Sequence, residues 1–239
     1  MKNHSSLEAI VSCMEKHPYE KDLLSNGSLL LSRMVTMADF NNVLVLLKNN
    51  ENNESSLLNI SILSQLALID DMMDEIIKQG ALKDLLKVIE MNLEENINDH
   101  PEKINLIKNC AIAVGRIVEA DVKQFIKIMD SGPLMILKRT LLEIKSPEIM
   151  EVGLNTLSKL AENHELKEKI LGDECLENII KKMDEYMGNE KSCEALLNFL
   201  IGNVNHEKVV NAIFEKKGLE SILCMMELHL NNKSIEEKV

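Results

Sequence analysis

"GALKDLLKVIE", residues 80–90, opens on a glycine and runs on as an amphipathic helix. The same plan returns in "GPLMILKRTLL" (132–142), "ECLENIIKKMD" (174–184) and "KGLESILCMME" (217–227), and "ADFNNVLVLLK" (38–48) joins the set. Phe40, Leu82, Leu134, Leu176 and Leu219 mark the shared position, at successive spacings of 42, 52, 42 and 43 residues. Three spacings agree. The second, 52, carries an insertion of about ten residues at "NLEENINDHPE" (92–102). A period near 40 residues marks a helical solenoid, in which each unit buries its apolar faces only by stacking on its neighbours.

A second series of helices interleaves with the first: "LSRMV" (31–35), "LSQLA" (63–67), "VGRIV" (114–118), "LSKLA" (157–161) and "LLNFL" (196–200). Short helices stand between this series and the next punctuated start, as in "DDMMDEIIKQG" (70–80), "DVKQFIKIMDSG" (121–132) and "HEKVVNAIFEKKG" (206–218). Three helices per unit, one short, with glycine often before the second, resemble the armadillo repeat. The "TLSKLA" segment matches the conserved core of that repeat's third helix, and "NFL" matches it loosely. "CMEKHPYEKDLLSNGSLLLSRMV" (13–35) also looks like an armadillo helix–turn–helix. The resemblance covers about residues 5–230. It implies an all-α, right-handed superhelical armadillo-type solenoid of about five to six three-helix repeats, with the HEAT repeat as the alternative. The repeats run roughly over 5–36, 37–69, 70–120, 121–163, 164–204 and a partial 205–232, in one domain spanning 1–239.

Composition narrows the function. The 239 residues carry 39 acidic and 27 basic side chains, a formal net charge of −12. Such a chain repels nucleic acid and anionic membranes unless its cations gather on one face. No apolar run approaches the roughly 18 residues of a spanning helix, so no membrane insertion is expected. The opening "MKNHSSLEAI" lacks an apolar leader segment. Only 3% of residues are aromatic and none is tryptophan, so the core is aliphatic. Cys13, Cys110, Cys175, Cys193 and Cys224 are odd in number and widely spaced, which reads as reduced, mostly buried thiols. A cytoplasmic location is expected, with the nucleus as the alternative. The insertion 92–102 is polar and acidic and is expected to be a mobile loop.

The resemblance also points to a site. Armadillo third helices line the inner surface, and the residue before their last "LA" is usually an asparagine that contacts the backbone of an extended peptide. The matching positions here are Arg33, Gln65, Arg116, Lys159 and Asn198. All five are hydrogen-bond donors, and none is acidic. The importin-alpha type adds a tryptophan one turn earlier. Here those places hold Leu29, Ser61, Ile112, Asn155 and Glu194, so capture of a basic localisation signal is not expected. Cations in the groove resemble the beta-catenin type, which accepts acidic partners, and arginine offers a two-pronged fork for carboxylate or phosphate. The bland alternative is a solvated face whose long side chains lie along apolar neighbours.

No phosphate loop, dinucleotide fingerprint, nucleophile elbow or zinc-protease motif occurs. No enzyme, cofactor or metal is expected, although Cys193 with His206 is a Cys–His combination that the repeat could bring together. The last helix, "LESILCMMELHL" (219–230), is apolar nearly all round. Leu219, Ile222, Leu223 and Met226 are expected to pack inward, leaving Cys224, Met225 and Leu228 as an assembly surface. The expected function is therefore a protein-binding scaffold or adaptor that holds an acidic or phosphorylated segment. The alternatives are a chaperone cofactor gripping a folded lobe, and a structural module that self-associates through its C-terminal repeat.

Overall fold

The computed structural model describes residues 2–17, 20–34, 63, 66–67, 70–128, 132–172, 175–215 and 218–229. Among these residues every regular element is helical. The chain divides into two units, Met1–Ile128 and Met129–Val239. The expected second repeat, 37–69, lies outside the described residues except for Leu63, Leu66 and Ala67, all three buried.

In the first unit, α1 (Lys2–Lys16) packs on α2 (Lys21–Met34). Leu7, Val11, Met14 and Leu31 are buried there. Further along, α3 (Asp70–Lys78) and α4 (Ala81–Asn92) precede the long α5 (Pro101–Ala120) and the short α6 (Val122–Lys127). Gly80 joins α3 to α4 at φ +74°, a left-handed backbone that side-chain-bearing residues adopt only with strain. Pro101 opens α5, where its missing N–H costs nothing. Asp121 caps α6 by accepting from the Lys123 amide at 3.0 Å. The Gln124 amide, donating to Asp121 at 2.8 Å, holds that carboxyl below its usual range.

The insertion is not the loose loop expected from its polarity. Leu93 and Ile97 are buried, and Ile97–Asp99 forms a turn of 3-10 helix. Lys103 also reaches Glu94 at 2.8 Å across the bend. Two apolar pegs in eleven mostly polar residues anchor the segment because burying an aliphatic side chain stabilises by about 1.5–3 kcal/mol.

The second unit runs through α7 (Pro133–Glu143), α8 (Pro147–Leu160), α9 (His164–Leu171), α10 (Cys175–Tyr186), α11 (Glu190–Gly202), α12 (Glu207–Glu215) and α13 (Gly218–Leu228). Gly132 repeats the role of Gly80, with φ +77° before α7. Side-chain caps set the other starts. Ser146 accepts from the Ile149 amide at 3.3 Å, Asn163 from Leu166 at 3.1 Å and Asn189 from Ser192 at 2.9 Å. Each satisfies an amide that the first helical turn leaves without a partner. The links 144–146 and 187–189 between second and third helices are short, whereas 93–100 in the first unit holds the insertion. Among the described helices, α8 and α11 pack along one another more extensively than any other pair. Leu154, Leu157 and Leu160 of α8 and Leu196, Leu197 and Leu200 of α11 are all buried. Ser192 ties the pair further by donating its hydroxyl to the Pro147 carbonyl at 3.0 Å.

Candidate functional site

The expected ladder falls on the third helices wherever those are described. Arg33 lies in the last turn of α2, Arg116 in α5, Lys159 in α8 and Asn198 in α11. Gln65 lies outside the described residues. Arg33 and Asn198 are exposed, while Arg116 and Lys159 are half-buried. Lys159 and Asn198 stand on the adjacent helices α8 and α11, so the second unit carries two rungs on neighbouring supports. The same two helices hold Asn155, exposed, and Glu194, half-buried, one turn earlier.

Lys159 is not a bare cation. Its ammonium meets the Glu162 carboxylate at 2.7 Å, with the lysine side chain 35% exposed and the glutamate 63%. An exposed pair of this kind contributes about 0–1 kcal/mol, so another carboxylate can replace Glu162 at little cost. At these positions α8 and α11 thus present the amides Asn155 and Asn198, the carboxylate Glu194 and one exchangeable cation, and both ladder arginines belong to the first unit.

A concavity that the sequence reading missed lies within the second unit. It encloses about 1000 Å³ and is lined from α7, the end of α9, the start of α10 and α12. Its walls include Met135, Leu142, Leu171 and Leu176 beside Lys138, Lys169 and Lys208. None of its lining comes from the third helices α8 and α11. Lys138 and the neighbouring Arg139 have structural partners there. Arg139 clasps Glu143 at 2.8 and 3.1 Å, and Lys138 donates to the Lys169 carbonyl at 2.7 Å. Four separate helices build this space, so no local motif announces it.

The Cys193–His206 combination that the repeat left open does not form. His206, at the start of α12, reaches Glu168 at 3.2 Å instead. The histidine beside Cys193 is His229, whose Nε2 lies 3.7 Å from the sulfur and 2.7 Å from the Met187 carbonyl. A carbonyl only accepts, so Nε2 carries the proton and has no lone pair to take one from the thiol. Burial, assisted by Glu190, pushes the Cys193 thiol up to about 11. It is therefore a neutral thiol with the Tyr186 and Met187 carbonyls each 3.4 Å away, and no nucleophile arises there. Among the described residues no three His, Cys, Asp or Glu side chains gather closely enough to hold a metal ion, and no described helix is long and apolar enough to cross a membrane.

The C-terminal surface also differs from expectation. Met225 is 1% exposed and belongs to the core, so it is no part of an assembly surface. Leu219 and Leu223, expected to pack inward, are exposed instead. Cys224 and Leu228 are exposed as expected. A helix apolar on most sides leaves much of its orientation to its neighbours, and α10 and α12 take the Ile222–Met225 side.

No protein-family model and no curated protein matches the chain. Among solved structures it is similar to a designed armadillo repeat protein, YIII(Dq.V1)4CPAF, in complex with the peptide (KR)4. The similarity has a TM-score of 0.64 at 17% identity and covers 97% of this chain and 95% of the designed one. Together with the short, longer and long helices that recur through α3–α5, α6–α8 and α9–α11, it shows that this chain has the all-α fold of an armadillo repeat protein.

Proposed function

We propose that the chain is a non-enzymatic protein-interaction scaffold that captures an extended, acidic or phosphorylated segment of its partner along the third helices. The observation that carries this reading is the chemistry of the rungs. Arg33, Arg116, Lys159 and Asn198 are all donors, and no carboxylate occupies a ladder position in a chain of net charge −12. Arg33 and Arg116 supply guanidinium forks, which match carboxylate or phosphate in a way that an ammonium does not. Lys159 exchanges Glu162 for a ligand carboxylate. Asn198, and Gln65 at its position in the sequence, hold peptide backbone through their amides. The designed relative was solved with a basic peptide, and the cations on this ladder argue for the opposite ligand charge. One rung is worth about 0–1 kcal/mol at an exposed site, so useful affinity comes from several rungs engaging one strand together.

Fluorescence anisotropy tests the reading with three labelled peptides: one rich in glutamate and phosphoserine, its glutamine and serine counterpart, and (KR)4. The acidic peptide is expected to bind best and to lose affinity as salt rises. Arg33→Glu/Arg116→Glu/Lys159→Glu is expected to weaken it by about tenfold or more, with the circular dichroism unchanged. Equal binding of the uncharged peptide, or indifference to the triple change, overturns the charge reading. Binding of none of the three overturns the extended-peptide reading itself.

A further inference from the structure

Burial sets the register of the two third helices in the second unit. Their caps, Ser146 before α8 and Asn189 before α11, stand 43 residues apart. The same shift carries buried Leu154, Leu157 and Leu160 onto Leu197, Leu200 and Asn203, all buried, and exposed Asn155 onto exposed Asn198. In this register the counterpart of Lys159 is Gly202, the last residue of α11. A Cβ built on Gly202 meets nothing within 4 Å, and its φ is not left-handed. Where α8 holds out an ammonium, α11 therefore leaves open space. The borders of that space are aliphatic. Ile201 and Val204 are 43% and 47% exposed, at places where the preceding repeat has half-buried Ser158 and buried Ala161. Hydrogen bonds fix the turn. The Val204 amide donates to the Ile201 carbonyl at 3.2 Å, and buried Asn203 donates its side-chain amide to the Phe199 carbonyl at 2.7 Å.

We infer that the segment held along the third helices carries an apolar side chain of about leucine size, which seats over Gly202 between Ile201 and Val204. The inference rests on the extended acidic segment proposed above and gives that segment a second specificity position. Asn155 and Asn198 stand in register one turn before Lys159 and Gly202. A strand whose backbone follows the two amides therefore passes Lys159 on α8 and Gly202 on α11 in the same way. At α8 it meets a cation, which selects a carboxylate or phosphate. At α11 it meets two aliphatic side chains beside a residue that has none, and the one cation of that helix, Lys191, lies at its other end. A charged ligand side chain would lose water there without gaining a partner, whereas an apolar one takes Ile201 and Val204 out of water. Packed helices lie about 8–10 Å apart, and an extended strand advances about 3.3 Å per residue with side chains on alternate faces. The apolar residue thus stands about two to four residues from the acidic one.

Fluorescence anisotropy of the full chain tests this with the labelled acidic peptide, remade with a single leucine, alanine or glutamate two, three or four residues to either side of its phosphoserine. At one of these places leucine is expected to bind about tenfold more tightly than alanine. Ile201→Ser/Val204→Ser should abolish that preference and leave the alanine peptide unchanged. Gly202→Lys restores the ammonium of the preceding repeat and should reverse the preference, with glutamate now binding best at that place. All three positions are exposed, so the helical circular dichroism should stay the same. Acidic peptides that bind but gain nothing from leucine at any place overturn the inference and leave the acidic-segment reading standing. A leucine preference that survives Ile201→Ser/Val204→Ser or Gly202→Lys also overturns it, because the apolar residue then sits elsewhere. Binding of no acidic peptide at all overturns both.

Discussion

Lys138 in α7 donates from Nζ to the backbone carbonyl of Lys169 at 2.7 Å, thirty-one residues further along the chain. Lys169 lies in the last turn of α9, where the carbonyls have no onward helical partner and the helix end carries partial negative charge. A cation from the preceding repeat thus closes a helix of the next, and Lys138 is only 9% exposed in doing so.

Lys138→Met keeps the length of the side chain and removes the ammonium. It is expected to cost about 1.5–3 kcal/mol, the range for a hydrogen bond with one charged partner. Urea unfolding checks it: the midpoint should fall with an unchanged slope.

Ile97→Ala tests the anchored insertion. Ile97 is 1% exposed, and truncating a buried isoleucine to alanine costs about 2–5 kcal/mol. Thermal unfolding of the variant should show a clear loss, whereas a freely moving loop would show none.

Gly80→Ala and Gly132→Ala isolate backbone strain from packing. Both glycines have positive φ, and a Cβ at either meets nothing within 4 Å. Each substitution is expected to cost about 1–2 kcal/mol through the left-handed backbone alone. The two sites are far apart in sequence and share no contact at the added Cβ, so the double variant should show the sum in chemical denaturation.

The cysteines give a pH prediction. Cys193 is pushed up to about 11 by burial and then by Glu190, and burial alone raises Cys110 further. Thiol reagents at mildly alkaline pH are expected to modify the exposed Cys13 and Cys224 rapidly and Cys110 and Cys193 only after unfolding. The linkage sign follows. The unfolded thiol titrates near 9, so between about 9 and 11 the unfolded chain has lost protons that the native chain keeps. The stability contribution of Cys193 is complete below pH 9 and is lost as pH climbs through 11. Tyr186, raised by burial and then by Glu185, acts in the same direction. Denaturation midpoints should decline over that window, and less so in Cys193→Ser.

Much of the fold was legible because its causes are local. Leu82, Leu134, Leu176 and Leu219 fall in α4, α7, α10 and α13, each the second helix after its inter-repeat link. Gly80, Gly132, Pro101 and Pro147 punctuate helix starts, where their backbone preferences apply. The ion pair of Lys159 with Glu162 was also legible, since side chains three residues apart on a helix are neighbours. Composition misled at the insertion, where two apolar residues outweigh nine others because only those two leave water.

The sequence by itself determined the helices, their order, their caps and the period that stacks them, since helical spacing, capping side chains and glycine backbones act within a few residues. Tertiary structure alone decided which side of α13 is buried, that Cys193 meets His229 rather than His206, and that Lys138 closes α9. Burial and partner choice depend on what another helix brings to the same place. For a helix apolar on most sides, such as α13, the sequence separates the faces only weakly, and the neighbours α10 and α12 make the choice.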